Sequence, residues 1–230
     1  MRPDYGLQNA IGRNIIIARS DASWADRRVR VHRQALGTGA IFIDMSLLDK
    51  DIREPLFMYL EIKLGKVRFF EEKDIGRARA DIMMVTDDAV CGLEIKSDAD
   101  SYARLKRQVK WYDKYFDYNF VVIGKSHLKH IEEHIPKYWG IISCTEGEED
   151  IHFEEVREAQ RNTKREINLK MSFLWRRELE TIKREHLKFK YYDLSKPQLR
   201  RKLVEKIDEE TLDRLISREL FDRDYTTLVE

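Results

Sequence analysis

A chain of 230 residues, 42% hydrophobic and 37% charged, can bury one core with an appendage or form two small domains. No run approaches the roughly 20 apolar residues that span a bilayer, and the N-terminus lacks the order of a signal peptide. With only Cys91 and Cys144, both in predicted strands, neither a disulfide framework nor a zinc site is expected, and a cytoplasmic setting fits.

Residues 1–44 show weak periodicity, scattered arginines such as Arg13, Arg19 and Arg27, and a Gly37-Thr38-Gly39 break, which predicts a poorly ordered N-terminal extension. A core domain is expected over 45–156. Its first helix is predicted over 51–64, with Asp51 as N-cap, Glu54 completing a capping box, Pro55 in the first turn, and Ile52, Leu56, Tyr59, Leu60 and Lys63 facing inward or snorkelling. Glu54 and Glu61 on this helix are candidate site acids, although capping and exposure account for them. Gly65 turns the chain into a strand predicted over 66–72, where Glu71 and Glu72 are further candidates.

The most informative stretch is RADIMMVTDDAVCGLEIK, 79–96, in which two apolar, β-prone runs meet at a two-residue acidic turn. With Asp87 and Asp88 as the turn, Thr86 pairs with Ala89, Asp81 lies opposite Glu94, and Arg79 lies opposite Lys96. Like charges directly opposite repel, so something positive is wanted between the two carboxylates. Hard Mg²⁺ takes one or two carboxylates plus water and phosphate oxygens, and Lys96 can neutralise charge at a phosphate. The competing reading is a strand-end Asp81 paired with Arg79 and an ordinary Glu94–Lys96 ion pair.

After Lys96, Ser97 or Asp98 is expected to cap a helix with the stripe Leu105, Val109, Tyr112 and Phe116. Arg104, Lys106, Arg107, Lys110 and Lys114 make it basic. The buried run 119–124 follows, so strand, helix and strand form a parallel crossover. A helix over 126–134 carries His127, His130 and His134, whose spacing suggests a metal site, but no carboxylate context supports one. Strands over 138–144 and 151–156 complete the sheet. Residues 157–230 read as a basic helical extension: 157–202 holds fifteen Lys/Arg against six Asp/Glu, and 203–230 nine acids against four bases. Short helices are predicted over 196–206 and 208–220, the first carrying Lys196, Arg200, Arg201 and Lys202. They suit phosphate contacts, a cover for the sheet, or a protein partner.

Asp81, Glu94-Ile95-Lys96 and Gln108-Val109-Lys110-Trp111-Tyr112 together resemble the PD-(D/E)XK nuclease superfamily, in particular its bacterial branch of small uncharacterised nucleases with an E-I-K-S-D strand end and a Q-x-x-x-Y helix. Ala80 stands where the superfamily's name has proline. The resemblance implies an α/β, restriction-endonuclease-like mixed sheet flanked by helices, and a Mg²⁺-dependent deoxyribonuclease in which Mn²⁺ substitutes. Asp81, Glu94 and the Ile95 carbonyl would bind the metal, Lys96 would assist the attacking water, Gln108 would serve the catalytic site, and Arg79, Arg104, Gln108 and Tyr112 would place the nucleic acid. DNA is preferred to RNA only through the resemblance. The alternative is a catalytically silent module of the same fold that binds nucleic acid or a protein.

Overall fold

The computed structural model describes residues 47–147, 150–187 and 191–225. The expected N-terminal extension over 1–44 lies outside them. Six strands form a single mixed sheet in the order β1 (Arg68–Ile75), β2 (Ala78–Val85), β3 (Val90–Lys96), β4 (Tyr118–Gly124), β5 (Gly140–Glu146) and β6 (Ile151–Arg157). The central pairs β3/β4 and β4/β5 are parallel and the outer pairs antiparallel. Parallel strands need a covering layer on both faces. Accordingly β3 is buried along its whole length and β4 nearly so.

One face is covered by α1 (Asp49–Leu64), which buries Ile52, Leu56 and Leu60 against Ile82, Leu93, Ile95 and Val122. The start of α1 differs from the expectation. Asp51 lies in the first turn and its carboxylate accepts the Leu48 amide at 3.3 Å, while Glu54 is exposed and Pro55 sits inside the helix. The opposite face is covered by α2 (Leu105–Tyr115) and the C-terminal helices α3 (Ile167–Lys170), α4 (Arg176–Leu187), α5 (Lys196–Lys206) and α6 (Glu209–Phe221). Asp208 caps α6, accepting the Thr211 amide at 2.9 Å. Neither Ser97 nor Asp98 caps α2, because a turn closed by Asp100 on the Ser97 amide and a 3-10 turn at Tyr102–Arg104 intervene. The expected histidine helix is two 3-10 turns, Lys125–His127 and Ile131–Glu133, with His127 bonded to the Ser97 carbonyl and His134 stacked on Tyr102.

Helix α2 approaches the sheet closely at Gly92, where a Cβ would stand 2.3 Å from the Phe116 ring and 2.7 Å from Tyr112. A buried charge cluster ties the C-terminal helices to the sheet. Lys170 reaches Asp117 at 2.6 Å and Asp213 at 3.0 Å, and Arg165 reaches the same two acids at 2.8 and 2.9 Å. Among the described residues no helix is long and apolar enough to cross a membrane.

Candidate functional site

The Thr86–Ala89 turn closes with a 3.0 Å backbone bond, and the β2/β3 ladder runs from Val85↔Val90 to Ile82↔Leu93 in the register read from the sequence. Asp81 and Glu94 are the next opposing pair, just beyond the last rung. The β1/β2 ladder also lacks one rung, between Glu71↔Ile82 and Lys73↔Ala80, so Glu72 and Asp81 are unpaired there. Phe70 and Ile75 enter the same core, as do Ala80 and Met83, although strict alternation would place each couple on opposite faces. The chain reverses its alternation at this gap, and Glu72 adopts a left-handed φ of 53°.

The gap frees the polar groups of Asp81 for other partners. Its amide donates to the Tyr112 hydroxyl at 3.2 Å, its carbonyl accepts from Arg53 at 3.2 Å, and its carboxylate accepts the Ile95 amide at 2.8 Å. Glu94 is fully buried and Lys96 is 4% exposed. The Lys96 ammonium pairs with Glu94 Oε1 and also donates to the Ile95 carbonyl at 3.3 Å. Gln108 donates to Glu94 Oε1 at 2.5 Å and Tyr112 to Oε2 at 2.8 Å. Both sit on α2 one turn apart, which is why a single helix can hold both oxygens of one carboxylate.

Burial, then the charge of Glu94, pushes the Asp81 carboxyl up to about 8. Burial also raises Glu94, against the opposing pull of Lys96 and its hydrogen bonds. Glu94 has Lys96 as its ion-pair partner, whereas Asp81 has none among the described residues. The Oε1 of Gln108 is buried with no hydrogen-bond partner, an acceptor left over for a donor the protein does not provide.

These groups open onto a cleft of about 570 Å³ that also takes in Asp49, Asp100, Arg77, Arg79, Arg104 and Arg107. Arg79 pairs with Glu72 at 2.6 Å. Arg104 is exposed on the rim. Tyr112, expected to help place nucleic acid, is fully buried, so its ring packs against Phe116 and Trp139 and only its hydroxyl serves the site, through Glu94. Glu54 and Glu61 do not line the cleft. Glu72 lines the cleft and Glu71 does not, and both are bound by Arg53, at 3.1 Å to Glu71 and 2.5 Å to Glu72. Arg53, which also holds Asp49 at 2.8 Å, is the residue the sequence reading missed. Its signal was an arginine on the inward side of an amphipathic helix, among acids one turn away. Among the described residues no group of three or more His, Cys, Asp or Glu is placed to hold a metal ion.

A family model described as bacteriophage P4 protein cII matches residues 61–227, most of the chain. The chain belongs to that family. It is a different family from the one the sequence motifs resemble, so the superfamily reading rests on Asp81, Glu94-Ile95-Lys96 and Gln108–Tyr112 themselves. No curated protein matches the chain. Among solved structures, that of Pyrococcus furiosus SfsA in complex with Ca²⁺ is similar at 12% identity and a TM-score of 0.31, covering 56% of this chain and 76% of that one. A likeness so distant says nothing about what this chain does.

Proposed function

We propose that this chain is a metal-dependent nuclease that hydrolyses phosphodiester bonds in DNA. The observation that carries the reading is the position of Lys96. Its ammonium bridges Glu94 and the Ile95 carbonyl, two of the three groups expected to share a cation, beside an Asp81 that burial and Glu94 hold toward neutrality. The donor set of two carboxylates and one carbonyl suits hard Mg²⁺, which completes its shell with water and phosphate oxygens, and Mn²⁺ would substitute.

Bound there, Mg²⁺ would supply Lewis acidity and lower the pKa of a coordinated water. The protein's part is positional. Gln108 and Tyr112 fix both oxygens of Glu94, and the Ile95 amide fixes Asp81, so both carboxylates are oriented in advance. Lys96, which pairs with Glu94 and the Ile95 carbonyl, would orient the attacking water or balance charge on the phosphate. Arg77, Arg104 and Arg107, exposed around the cleft, suit the backbone phosphates on either side.

The test is incubation of the purified chain with labelled linear, circular and single-stranded DNA in Mg²⁺ and Mn²⁺, beside Lys96→Ala and Asp81→Asn. Cleavage by the wild type that both variants lose, with folding intact, supports the reading. DNA binding without cleavage in any substrate would replace it with a silent nucleic-acid-binding module.

A further inference from the structure

Helix α1 reaches the gap in the β1/β2 ladder with one side chain, Arg53, which is 12% exposed. A guanidinium carries five N–H donors in a rigid planar fork, and Arg53 uses all of them. Its Nε and Nη2 donate to the two Asp49 oxygens at 3.1 and 2.8 Å, and Nη2 donates again to Glu72 at 2.5 Å. Its Nη1 donates to Glu71 at 3.1 Å and to the Asp81 carbonyl at 3.2 Å. Asp49, Glu72 and Asp81 line the cleft, and Arg53 stands behind them. From the opposite face of the sheet the Tyr112 hydroxyl accepts the Asp81 amide at 3.2 Å. The two covering layers thus grip the main chain of Asp81 between them, where it has no rung to β1. Glu72, the residue that would pair with it, keeps its left-handed φ of 53°, a conformation that a non-glycine residue retains only where its surroundings fix it. Arg53 and Arg79 bind the two oxygens of its carboxylate, one each.

We propose that Arg53 is a positioning residue for Asp81: by binding the Asp81 carbonyl and Glu72 across the gap, it keeps this rung open and the Asp81 carboxylate turned toward β3 and the cleft. The consequence for metal binding rests on the metal-dependent reading of the site. Ile82 enters the core beneath α1 and Met83 the core beneath α2, so regular alternation would send residue 81 into the apolar core beneath α2 and residue 80 beneath α1. Ala80 instead lies beneath α2. The open rung is therefore what lets the Asp81 carboxylate reach the Ile95 amide at 2.8 Å. Lysine in place of Arg53 would keep the charge, but a compact ammonium lacks the planar fork that spans these four groups. Charge and position also act in opposite directions. Removing a cation from beside the site would strengthen its attraction for a divalent ion, so weaker binding reports a misplaced Asp81.

The experiment is Mn²⁺ binding to the full chain without DNA, followed by the electron paramagnetic resonance of free Mn²⁺. Wild type is compared with Arg53→Gln and Arg53→Lys, and with Lys170→Met as a control destabilised away from the cleft. Both Arg53 variants are expected to bind about 10–100-fold more weakly, the range for an outer partner of a metal ligand. Lys170→Met should bind as wild type does at a temperature where all four proteins are folded. In EDTA, amide exchange followed by NMR should show the Ile95 proton exchanging roughly tenfold faster in Arg53→Gln while the Val85 amide keeps its rate, the mark of a local rather than a global opening. Unchanged or tighter Mn²⁺ binding in Arg53→Gln would overturn the proposal, as would full recovery in Arg53→Lys, which would make charge sufficient. A second bound ion in Arg53→Gln would overturn it too, because Arg53 would then serve to keep Asp49 and Glu72 off the metal. So would equal weakening in Lys170→Met, which marks a purely structural role. A wild type that binds no Mn²⁺ would sink the metal-dependent reading and leave the Ile95 amide to decide this one: selective acceleration supports it and unchanged exchange overturns it.

Discussion

The Asp81 carboxylate accepts the backbone amide of Ile95 at 2.8 Å, just beyond the last rung between β2 and β3. A side chain thus takes the place of a backbone acceptor and locks the two expected metal-binding strands together before any ion arrives. The bond uses one oxygen of Asp81 and leaves the other toward the cleft.

Replacing that carboxylate should therefore abolish activity more thoroughly than loosening it. Asp81→Asn keeps the shape and an acceptor for Ile95, and the loss of cleavage is expected to exceed the roughly 10–100-fold that follows removal of an outer partner of a metal ligand. Steady-state cleavage rates, with circular dichroism to check folding, measure this.

The same residue gives the metal-free protein a pH dependence. Its folded value of about 8 lies above the unfolded value of about 3.9, so over that window the unfolded chain releases a proton that the folded chain keeps. Stability is then lost as pH rises from about 4 to about 8 and is level beyond it. Thermal melts in EDTA should show a steeper decline for the wild type than for Asp81→Asn, and parallel curves would refute the assignment of the shift.

Tyr112→Phe removes the hydroxyl that donates to Glu94 and accepts from the Asp81 amide, while leaving the buried ring in place. Urea unfolding is expected to show a loss of about 1–3 kcal/mol, the range for leaving buried polar groups unsatisfied. Cleavage should fall as well, by roughly 10–100-fold, as for an outer-shell partner. Activity equal to wild type would mean that Glu94 holds its orientation without the tyrosine.

Lys170→Met tests the buried charge cluster. The fully buried ammonium is shared by Asp117 and Asp213, and its loss leaves two buried acids with Arg165 and the more exposed Arg161. Breaking such a pair costs about 3–5 kcal/mol. Equilibrium denaturation should reveal it as a shift of the whole transition, because the cluster joins α6 to the start of β4.

The hairpin register, the two-residue acidic turn, the crossover from β3 through α2 to a parallel β4, and the limits of α5 and α6 were legible in the chain because each rests on local rules: strand alternation, turn chemistry, helical stripes and caps. The facing of Asp81 and Glu94 follows from that register alone. Other features came from partners distant in the chain. Arg53 of α1, eighteen residues before Glu71 in the chain, holds both Glu71 and Glu72, and Glu72 lines the cleft. Tyr112 lies on the predicted apolar stripe of α2, and the close approach of that helix at Gly92 buries its ring while its hydroxyl reaches Glu94.

What the sequence by itself determined is therefore the pairing of acids and lysine across one hairpin, since a period of two and a short turn leave a strand no other register. Only the tertiary structure decided how those groups are charged and held. The gap in the β1/β2 ladder at Glu72 and Asp81, the burial that keeps Asp81 near neutrality, and the hold of Arg53 on Glu71 and Glu72 all depend on how separate segments pack. Dielectric environment and long-range contact are properties of the packed protein, and no local pattern encodes them.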